Sequence, residues 1–221
     1  MNYSKNDKLI EYVNCNLCNS NSTKRVMRVD EYNIVECKEC GLVYVNPRLR
    51  QKKLHEIYKK DYFSNSAFKF KKLGLYGYEK YLEEEDYIKA TFNERLKIIN
   101  SYSKKARLLD IGCALGFFLE IARNDGWDAQ GLEIAKFAYE YATNKLKLPV
   151  MNKTLEEAKF KSDNFDVVTI FDVIEHLPNP NGTIKEIRRI LKPNGLIAIT
   201  TPNIGSIPAK LLGKNWEEVK R

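Results

Sequence analysis

Residues 108–119, LLDIGCALGFFL, decide the fold of this chain. The apolar run that includes Asp110 predicts a strand, Gly112 and Gly116 predict a tight turn, and the apolar residues after them predict a helix. The spacing differs from the pyrophosphate-binding pattern GxGxxG, because the glycines are at positions 112 and 116 and an acid precedes them. A carboxylate at this place would repel a pyrophosphate and would suit an amino group or a sulfonium. The stretch therefore predicts a backbone cradle for a ligand that carries positive charge.

Short apolar runs alternate with amphipathic segments on both sides of this stretch, which is typical of βαβ units and a parallel sheet. Ile88, Phe92, Leu96 and Ile99 form one apolar face of a helix over 83–102, which we expect to pack on the sheet. The sequence thus predicts an α/β fold with five parallel strands, at 107–111, 128–133, 149–151, 165–171 and 195–200, and further helices at 116–125, 135–145 and 182–191.

Two CxxC knuckles precede this pattern, Cys15/Cys18 and Cys37/Cys40, with positions 19–36 between them. Four thiolates at this spacing suit one tetrahedral zinc ion, and four cysteine ligands leave no open coordination position. The alternating residues between the knuckles predict a hairpin. The sequence therefore predicts a small zinc ribbon in which Zn²⁺ is structural and compensates for a small apolar core.

Glu133 ends the second predicted strand of the sheet, where a carboxylate can accept hydrogen bonds from a ribose diol. Further motifs follow in a fixed order along the chain: LDIGCALG at 109–116, GLE at 131–133, FDVV at 165–168, DVIEHL at 172–177 and LKPNG at 191–195. With these motifs the sequence resembles a class I S-adenosylmethionine-dependent methyltransferase, and the N-terminal part is similar to the zinc-binding module of relatives that methylate nucleotide-linked deoxysugars. Ala114 stands where many relatives have glycine, and we expect its φ to be negative.

The resemblance implies a cofactor site built on the glycine-rich loop. Gly112, Cys113 and Gly116 would lie against the methionine part of S-adenosyl-L-methionine. Asp110 would orient that loop and help to hold the amino group, and Glu133 would bind the ribose hydroxyls. Cys113 has no base near it in the sequence, so we interpret it as a small buried residue rather than a nucleophile.

The resemblance also implies residues for the adenine and the sulfonium. Ile134 would lie beside the adenine, and Thr154 and Leu155 would meet its edge through a side-chain oxygen and a backbone amide. Phe171 would pass near the sulfonium, with Asp172 next to it.

Methyl transfer from a sulfonium needs alignment of donor and acceptor and, for some acceptors, removal of a proton. His176, next to Glu175 beyond the fourth strand, is our candidate general base. The alternative is that this pair is a structural loop element. Asp172, Glu175 and His176 also have the spacing i, i+3, i+4, which on a helix would form part of a divalent-cation site.

The charge of the chain is unevenly distributed. Lys and Arg exceed Asp and Glu by 5 in residues 1–60 and by 3 in residues 61–107, whereas residues 108–221 are balanced. This distribution favours a small anionic acceptor, of the sugar or nucleotide-sugar type, that approaches the N-terminal side. The alternative is a zinc-ribbon protein that binds nucleic acid or modifies RNA with the same cofactor fold.

Between the ribbon and the sheet, aromatic residues alternate with lysines. A lid over the cofactor that includes Tyr62 and Tyr78, a single-stranded nucleic-acid surface and a partly buried connector all fit this composition. His55 is interpreted as a surface residue. We therefore expect a zinc-binding ribbon at 1–50, a helical connector at 51–107 and the cofactor domain at 108–221.

The ends of the sequence add two expectations. The N-terminus lacks the apolar core of a signal peptide and no apolar run is long enough to span a membrane, which points to a cytoplasmic protein without membrane contact. Only positions 204–221 follow Asn203, although this fold normally adds two more strands there. We therefore expect the chain to be a fragment.

Overall fold

The computed structural model describes residues 9–30, 32–50, 78–216 and 218. The chain divides into two compact units: one contains the described part of residues 1–57 together with residues 202–216 and 218, and the other contains residues 78–201. Residues 51–77, with His55 and Tyr62, lie outside the described part of the chain, so the predicted connector and lid stay predictions, as do the domain boundaries.

The first unit contains the predicted ribbon. Its strands are β1 Ile10–Glu11, β2 Thr23–Val29, β3 Tyr32–Cys37, β4 Val43–Val45 and β5 Arg48–Leu49. Strands β2 and β3 form an antiparallel hairpin, β4 pairs antiparallel with β3, and β1 pairs separately with β5. Ile34 and Val35 are the buried aliphatic side chains in the described part of residues 9–50. The core of the ribbon is therefore small.

The second unit is a parallel sheet of five strands, which confirms the predicted fold class. The strands are β6 Arg107–Ile111, β7 Asp128–Leu132, β8 Val150–Met151, β9 Phe165–Phe171 and β10 Leu191–Thr200. Their order in the sheet is β10-β9-β6-β7-β8, so the chain crosses from one half of the sheet to the other after β8. Because all five run in the same direction, their carboxyl ends meet at one edge, where open α/β sheets bind ligands.

The helices differ from prediction mainly at their ends. The predicted helix at 83–102 is interrupted at Glu84, and the one at 135–145 changes from α to π geometry at Tyr141. The helices of this unit are α1 Tyr78–Glu83, α2 Glu85–Tyr102, α3 Phe117–Asn124, α4 Lys136–Glu140, α5 Leu155–Ala158 and α6 Pro180–Ile190; α7 Ile207–Leu212 belongs to the ribbon's unit.

Two of the three apolar clusters in the sheet unit contain strand residues. Leu96 and Ile99 of α2 pack with Leu108 and Phe118 in one cluster, which confirms that this helix lies on the sheet. The other cluster joins residues of β6 and β9 to Ile187 of α6. Each fully buried Leu, Ile or Phe side chain stabilises the fold by about 1.5–3 kcal/mol. Apolar burial on this scale holds the strand ends in place.

Candidate cofactor site at the carboxyl edge of the sheet

The glycine-rich loop after β6 has a conformation that excludes larger residues. Gly112 has φ +72° and Gly116 has φ +88°, and a Cβ on Gly112 would lie 2.5 Å from Val173 Cγ2. Ala114 has φ +48°, so the expectation of a negative φ was wrong. The turn therefore needs left-handed backbone at Ala114 as well, a conformation that residues other than glycine uncommonly adopt.

Glu133 holds this loop against the end of β7. Its carboxylate accepts hydrogen bonds from the amide of Ala114 at 2.9 Å and from the amide of Ala135 at 2.7 Å, and the residue is 7% exposed. Burial raises the pKa of Glu133, and the two amides oppose that shift. The adjacent Ile134 is 37% exposed. The structure therefore places an acid and an open apolar residue together where β7 ends.

Asp110 lies on β6, whose neighbours in the sheet are β7 and β9. It is 3% exposed, and Thr169 Oγ1 donates a hydrogen bond of 2.6 Å to its Oδ1. Burial raises the pKa of Asp110 to about 7, and the negative charge of Glu133 adds to that shift. A buried acid with a raised pKa at a strand end is typical of a functional site.

Phe171, at the end of β9, is covered by α2. Its ring lies 6.1 Å from that of Phe92 and 5.0 Å from that of Phe118, and the guanidinium of Arg95 lies 4.9 Å from the ring centroid. Arg95 also forms an ion pair of 3.4 Å with Asp172. The sequence analysis did not single out this arginine. A cationic residue next to the apolar face of the 83–102 helix was the one feature that could have indicated it.

The predicted catalytic pair lies beyond the end of β9 and is exposed. Glu175 and His176 lie in a single 3₁₀ turn, Ile174–His176, and Thr201 Oγ1 donates to Glu175 Oε2 at 3.2 Å. Asp172 precedes the turn with φ +56°, so the assumption that the three residues share a helix face was wrong. In the described part of the chain, the four ribbon cysteines are the only group of three or more metal-ligand atoms close together.

Thr154 and Leu155 follow β8 and begin α5. Thr154 Oγ1 accepts from the amide of Glu157 at 3.2 Å, and Glu157 Oε2 accepts from the amide of Thr154 at 2.9 Å, which forms a capping box. Leu155 is 4% exposed. Both residues stabilise the local fold, whatever contact they make with a ligand.

Cys113 is a packing residue of the loop. It is 5% exposed, and a Cβ on Gly131 of β7 would lie 2.6 Å from its Sγ. Burial raises the pKa of its thiol well above the usual value. A neutral, enclosed thiol is a poor nucleophile.

The four ribbon cysteines form a second candidate site. Their sulfurs lie within 4.8 Å of one another, with Cys15 and Cys40 Sγ 3.4 Å apart and Cys18 and Cys37 Sγ 3.5 Å apart. A tetrahedron of sulfurs about 2.3 Å from zinc has edges of about 3.8 Å, which lies between these two short separations and the 4.8 Å upper limit of the cluster. The cysteines are free thiols in the structure.

Backbone amides point at these sulfurs. The amide of Cys40 lowers the pKa of Cys37 to about 7. Although the amide of Leu42 lowers it, burial and the three neighbouring thiols raise the pKa of Cys40 to about 12. Four thiols this close resist ionising together unless a cation is present, so the donor set fits a divalent metal ion.

Comparison with known proteins establishes the class. The chain belongs to the methyltransferase-domain family, whose sequence profile matches residues 80–220. Its fold is similar to that of a SAM-dependent methyltransferase from Archaeoglobus fulgidus, with TM-score 0.53, 24% identity and coverage of 61% of this chain and 62% of that one. A structure from Thermotoga maritima described as a possible histamine N-methyltransferase has TM-score 0.50 and 22% identity, with coverage of 62% and 66%. The sheet is thus that of a class I methyltransferase.

Curated relatives match part of this chain at higher identity. A ubiquinone biosynthesis O-methyltransferase of Photobacterium profundum is 32% identical over 103 residues, 44% of each chain. One of Rickettsia typhi is 30% identical over 115 residues, 50% of this chain and 46% of the relative. The chain therefore spans somewhat less than half the length of these relatives. Within its described residues, none of the helices is long and apolar enough to cross a membrane.

Proposed function

We propose that this protein binds S-adenosylmethionine at the carboxyl edge of the sheet and transfers its methyl group to a small anionic metabolite of the sugar or nucleotide-sugar type. One observation carries the cofactor assignment. A glycine-rich loop with left-handed backbone lies between two buried acids, Asp110 and Glu133, at the ends of adjacent parallel strands. This arrangement suits a cationic nucleoside better than a polyphosphate.

The cofactor lies along this edge. Glu133 binds the ribose hydroxyls, with Ile134 beside the adenine and Thr154 and Leu155 at the adenine edge. Gly112–Gly116 face the methionine part, and Asp110 attracts the amino group. Two features support this order: Ile134 is partly open, and the loop amide of Ala114 already donates to Glu133.

The sulfonium lies toward the end of β9. Phe171 and Asp172 border it there, and Arg95 offers a cation for the cofactor's carboxylate. The partial exposure of the Arg95 side chain, 25%, leaves its guanidinium within reach of a ligand. The protein's main contribution to the reaction is then alignment of donor and acceptor for in-line displacement.

His176 and Glu175 act on the acceptor. Both side chains are exposed where β9 ends, so an acceptor hydroxyl can reach the imidazole, which takes its proton as the oxygen attacks the methyl carbon. An oxygen acceptor of ubiquinone biosynthesis is the second candidate, because the curated relatives in the comparison carry the name ubiquinone biosynthesis O-methyltransferase.

The ribbon holds one structural zinc ion through Cys15, Cys18, Cys37 and Cys40. The support is the donor set: four sulfurs within 4.8 Å of one another, with backbone amides directed at them. Zinc held by four thiolates would stabilise the ribbon and take no part in methyl transfer.

Calorimetric titration with S-adenosylmethionine tests the cofactor assignment. The wild-type chain should bind the cofactor, and Glu133→Gln should weaken binding at least about tenfold, because the ribose loses a charged acceptor. Glu156→Ala, at an exposed acid of α5, is the matched control and should bind like wild type. Failure of the folded wild-type chain to bind the cofactor would overturn the proposal.

A further inference from the structure

The ribbon contains a buried phenol hydroxyl without a hydrogen-bond partner. Tyr44 lies on β4, and its Oη is enclosed by the protein. Among the residues that the structure describes, it is the one buried side-chain oxygen or nitrogen that neither donates nor accepts a hydrogen bond. Burying a hydroxyl unpaired costs free energy, and folded proteins pair nearly all such groups. The unpaired hydroxyl therefore indicates an acceptor that the ribbon acquires when it binds something.

The pairing of β3 with β4 places Tyr44 on the face that carries Cys37. Val35 lies opposite Tyr44 in this ladder, and two residues further along, the amide of Cys37 donates to the carbonyl of Leu42 at 2.8 Å. Because side chains alternate between the two faces of a sheet, Tyr44 shares its face with Val35 and, diagonally, with Cys37. Val35 is 6% exposed and Cys37 is 0% exposed, so this is the buried face. A diagonal neighbour is within reach of an aromatic side chain.

Metal binding would turn the neighbouring sulfurs into strong acceptors. Cys15 and Cys37 are buried members of the four-cysteine cluster. A thiol accepts hydrogen bonds weakly, whereas a thiolate that ligates a metal carries negative charge and accepts them well. One Zn²⁺ cancels only part of the charge of four thiolates, so buried sulfurs gain from nearby donors. Burial raises the pKa of Tyr44, and negative charge on the cysteines adds to that shift, so the hydroxyl keeps the proton that it would donate.

Resting on the zinc site proposed above, we propose that the Tyr44 hydroxyl donates a hydrogen bond to a ligating sulfur on the buried side of the cluster, that of Cys15 or Cys37, when the cysteines hold the metal ion. Tyr44 is then a positioning residue that acts on the metal through a thiolate. It adds a side-chain donor to the backbone amides that point at Cys37 and Cys40. Its hydroxyl is unpaired beside neutral thiols and paired beside thiolates, so it favours the metal-bound ribbon.

Competition with a chromophoric chelator measures the effect on zinc affinity in the full-length chain. Tyr44→Phe removes the hydroxyl and keeps the ring, and it should raise the Kd for Zn²⁺ about tenfold, as is usual when a partner of a metal ligand is lost. Tyr12→Phe is the matched control, because Tyr12 also belongs to the ribbon but is 79% exposed. It should bind Zn²⁺ like wild type.

Co²⁺ in place of Zn²⁺ separates a lost hydrogen bond from a loosened ribbon. A thiolate that loses a hydrogen bond gives up an electron more easily, so the sulfur-to-cobalt charge-transfer band of Tyr44→Phe should move to longer wavelength. The intensity of the cobalt d–d bands should match that of wild type, because the four sulfurs still surround the metal. A purely structural role of Tyr44 would weaken metal binding without moving the charge-transfer band.

The outcomes distinguish the role of Tyr44 from the zinc site itself. Either an unchanged Kd for Zn²⁺ or an unmoved charge-transfer band in Tyr44→Phe would overturn the proposed hydrogen bond. Failure of the wild-type chain to bind Zn²⁺ or Co²⁺ would instead overturn the proposed zinc site, on which this role depends.

Discussion

The ribbon and the parallel sheet are stabilised in different ways. In the ribbon, Ile34 and Val35 are the buried aliphatic side chains in the described part of residues 9–50, and Cys15 and Cys37 are buried as well. The sheet unit contains three apolar clusters built from strands and helices. A core of two aliphatic residues supplies little hydrophobic free energy, so the proposed zinc would add stability that the ribbon's own core does not supply.

The ribbon and the sheet also differ in the buried polar groups proposed to bind ligands, which are thiols in the ribbon and carboxylic acids in the sheet. The thiols of the ribbon gain from a cation that would organise the surrounding chain. The acids of the sheet, Asp110 and Glu133, lie in an already folded unit, where burial raises the pKa of each. The proposed zinc would thus maintain the ribbon's fold. Burial of the two acids would instead lower the stability of the sheet, and these acids would serve to bind a ligand.

Removal of zinc should have the largest effect, and it should be confined to the ribbon. Cys37→Ser removes one of four ligands, so zinc stoichiometry should fall and β3 should lose protection from hydrogen exchange. Strand β6 should keep its protection, because apolar clusters stabilise it on both faces of the sheet. Metal analysis and hydrogen-exchange mass spectrometry measure the two effects. The apparent free energy of structural zinc binding is about 10–16 kcal/mol in small zinc modules, enough to decide whether a ribbon folds.

Cys113→Ala is the control for this experiment. Cys113 is the fifth cysteine, and it packs on Gly131 in the sheet. The variant should retain stoichiometric zinc. Stoichiometric zinc in Cys37→Ser would rule out the four-cysteine site. Loss of hydrogen-exchange protection in β6 after zinc removal would show that the sheet depends on the metal as the ribbon does.

Asp110→Asn should make the sheet more stable than it is in the wild type, and this difference should grow as the pH rises. The pKa of Asp110 is raised from an ordinary 3.8 to about 7, so the wild type loses stability as the pH rises through this range, because the unfolded chain releases a proton that the folded chain keeps. Asparagine carries no such proton and can still accept from Thr169. Relative to wild type, the variant should gain about 2–3 kcal/mol of unfolding free energy between about pH 5 and pH 8.

Urea unfolding of both proteins at several pH values measures this difference. Trp127 is buried in the sheet's core, and the chain has two tryptophans, so a Trp216→Phe background leaves one reporter for the sheet. Asp166→Asn is the control with the opposite sign. Burial alone would raise the pKa of Asp166, but Lys192 at 2.8 Å and the amide of Arg107 lower it. Asp166→Asn should therefore lose stability near neutral pH and approach wild type in acid.

Features set by neighbouring residues could be predicted from the sequence. The glycine turn, the five strands and the two cysteine knuckles depend on local spacing and on side-chain periodicity, and the structure contains each of them. The hairpin between the knuckles was predicted for the same reason, because strands on both sides of a short turn alternate apolar and polar residues.

Features set by turn handedness or by distant contacts could not be predicted. The left-handed backbone of Ala114 and Asp172 depends on how the loops meet β7 and β10, which residue type alone does not reveal. Arg95 reaches Asp172 from a distant part of the sequence. Tyr81 meets the loop through stacking on Phe117, whereas composition alone favoured Tyr62 and Tyr78.

Two helix caps, one in each unit, provide the smallest test of the comparison. Thr154 caps α5 through a reciprocal box with Glu157, whereas Ser206 caps α7 by one hydrogen bond of 3.3 Å from Ala209. Thr154→Ala should lower the sheet's unfolding free energy by about 1 kcal/mol, and Thr154→Ser, which keeps the hydroxyl, should restore most of it. Ser206→Ala should leave the sheet's urea midpoint unchanged, because α7 belongs to the ribbon's unit. An equal shift of that midpoint by both alanine variants would mean that the units unfold as one, and the contrast between a metal-dependent ribbon and an apolar sheet would then fail.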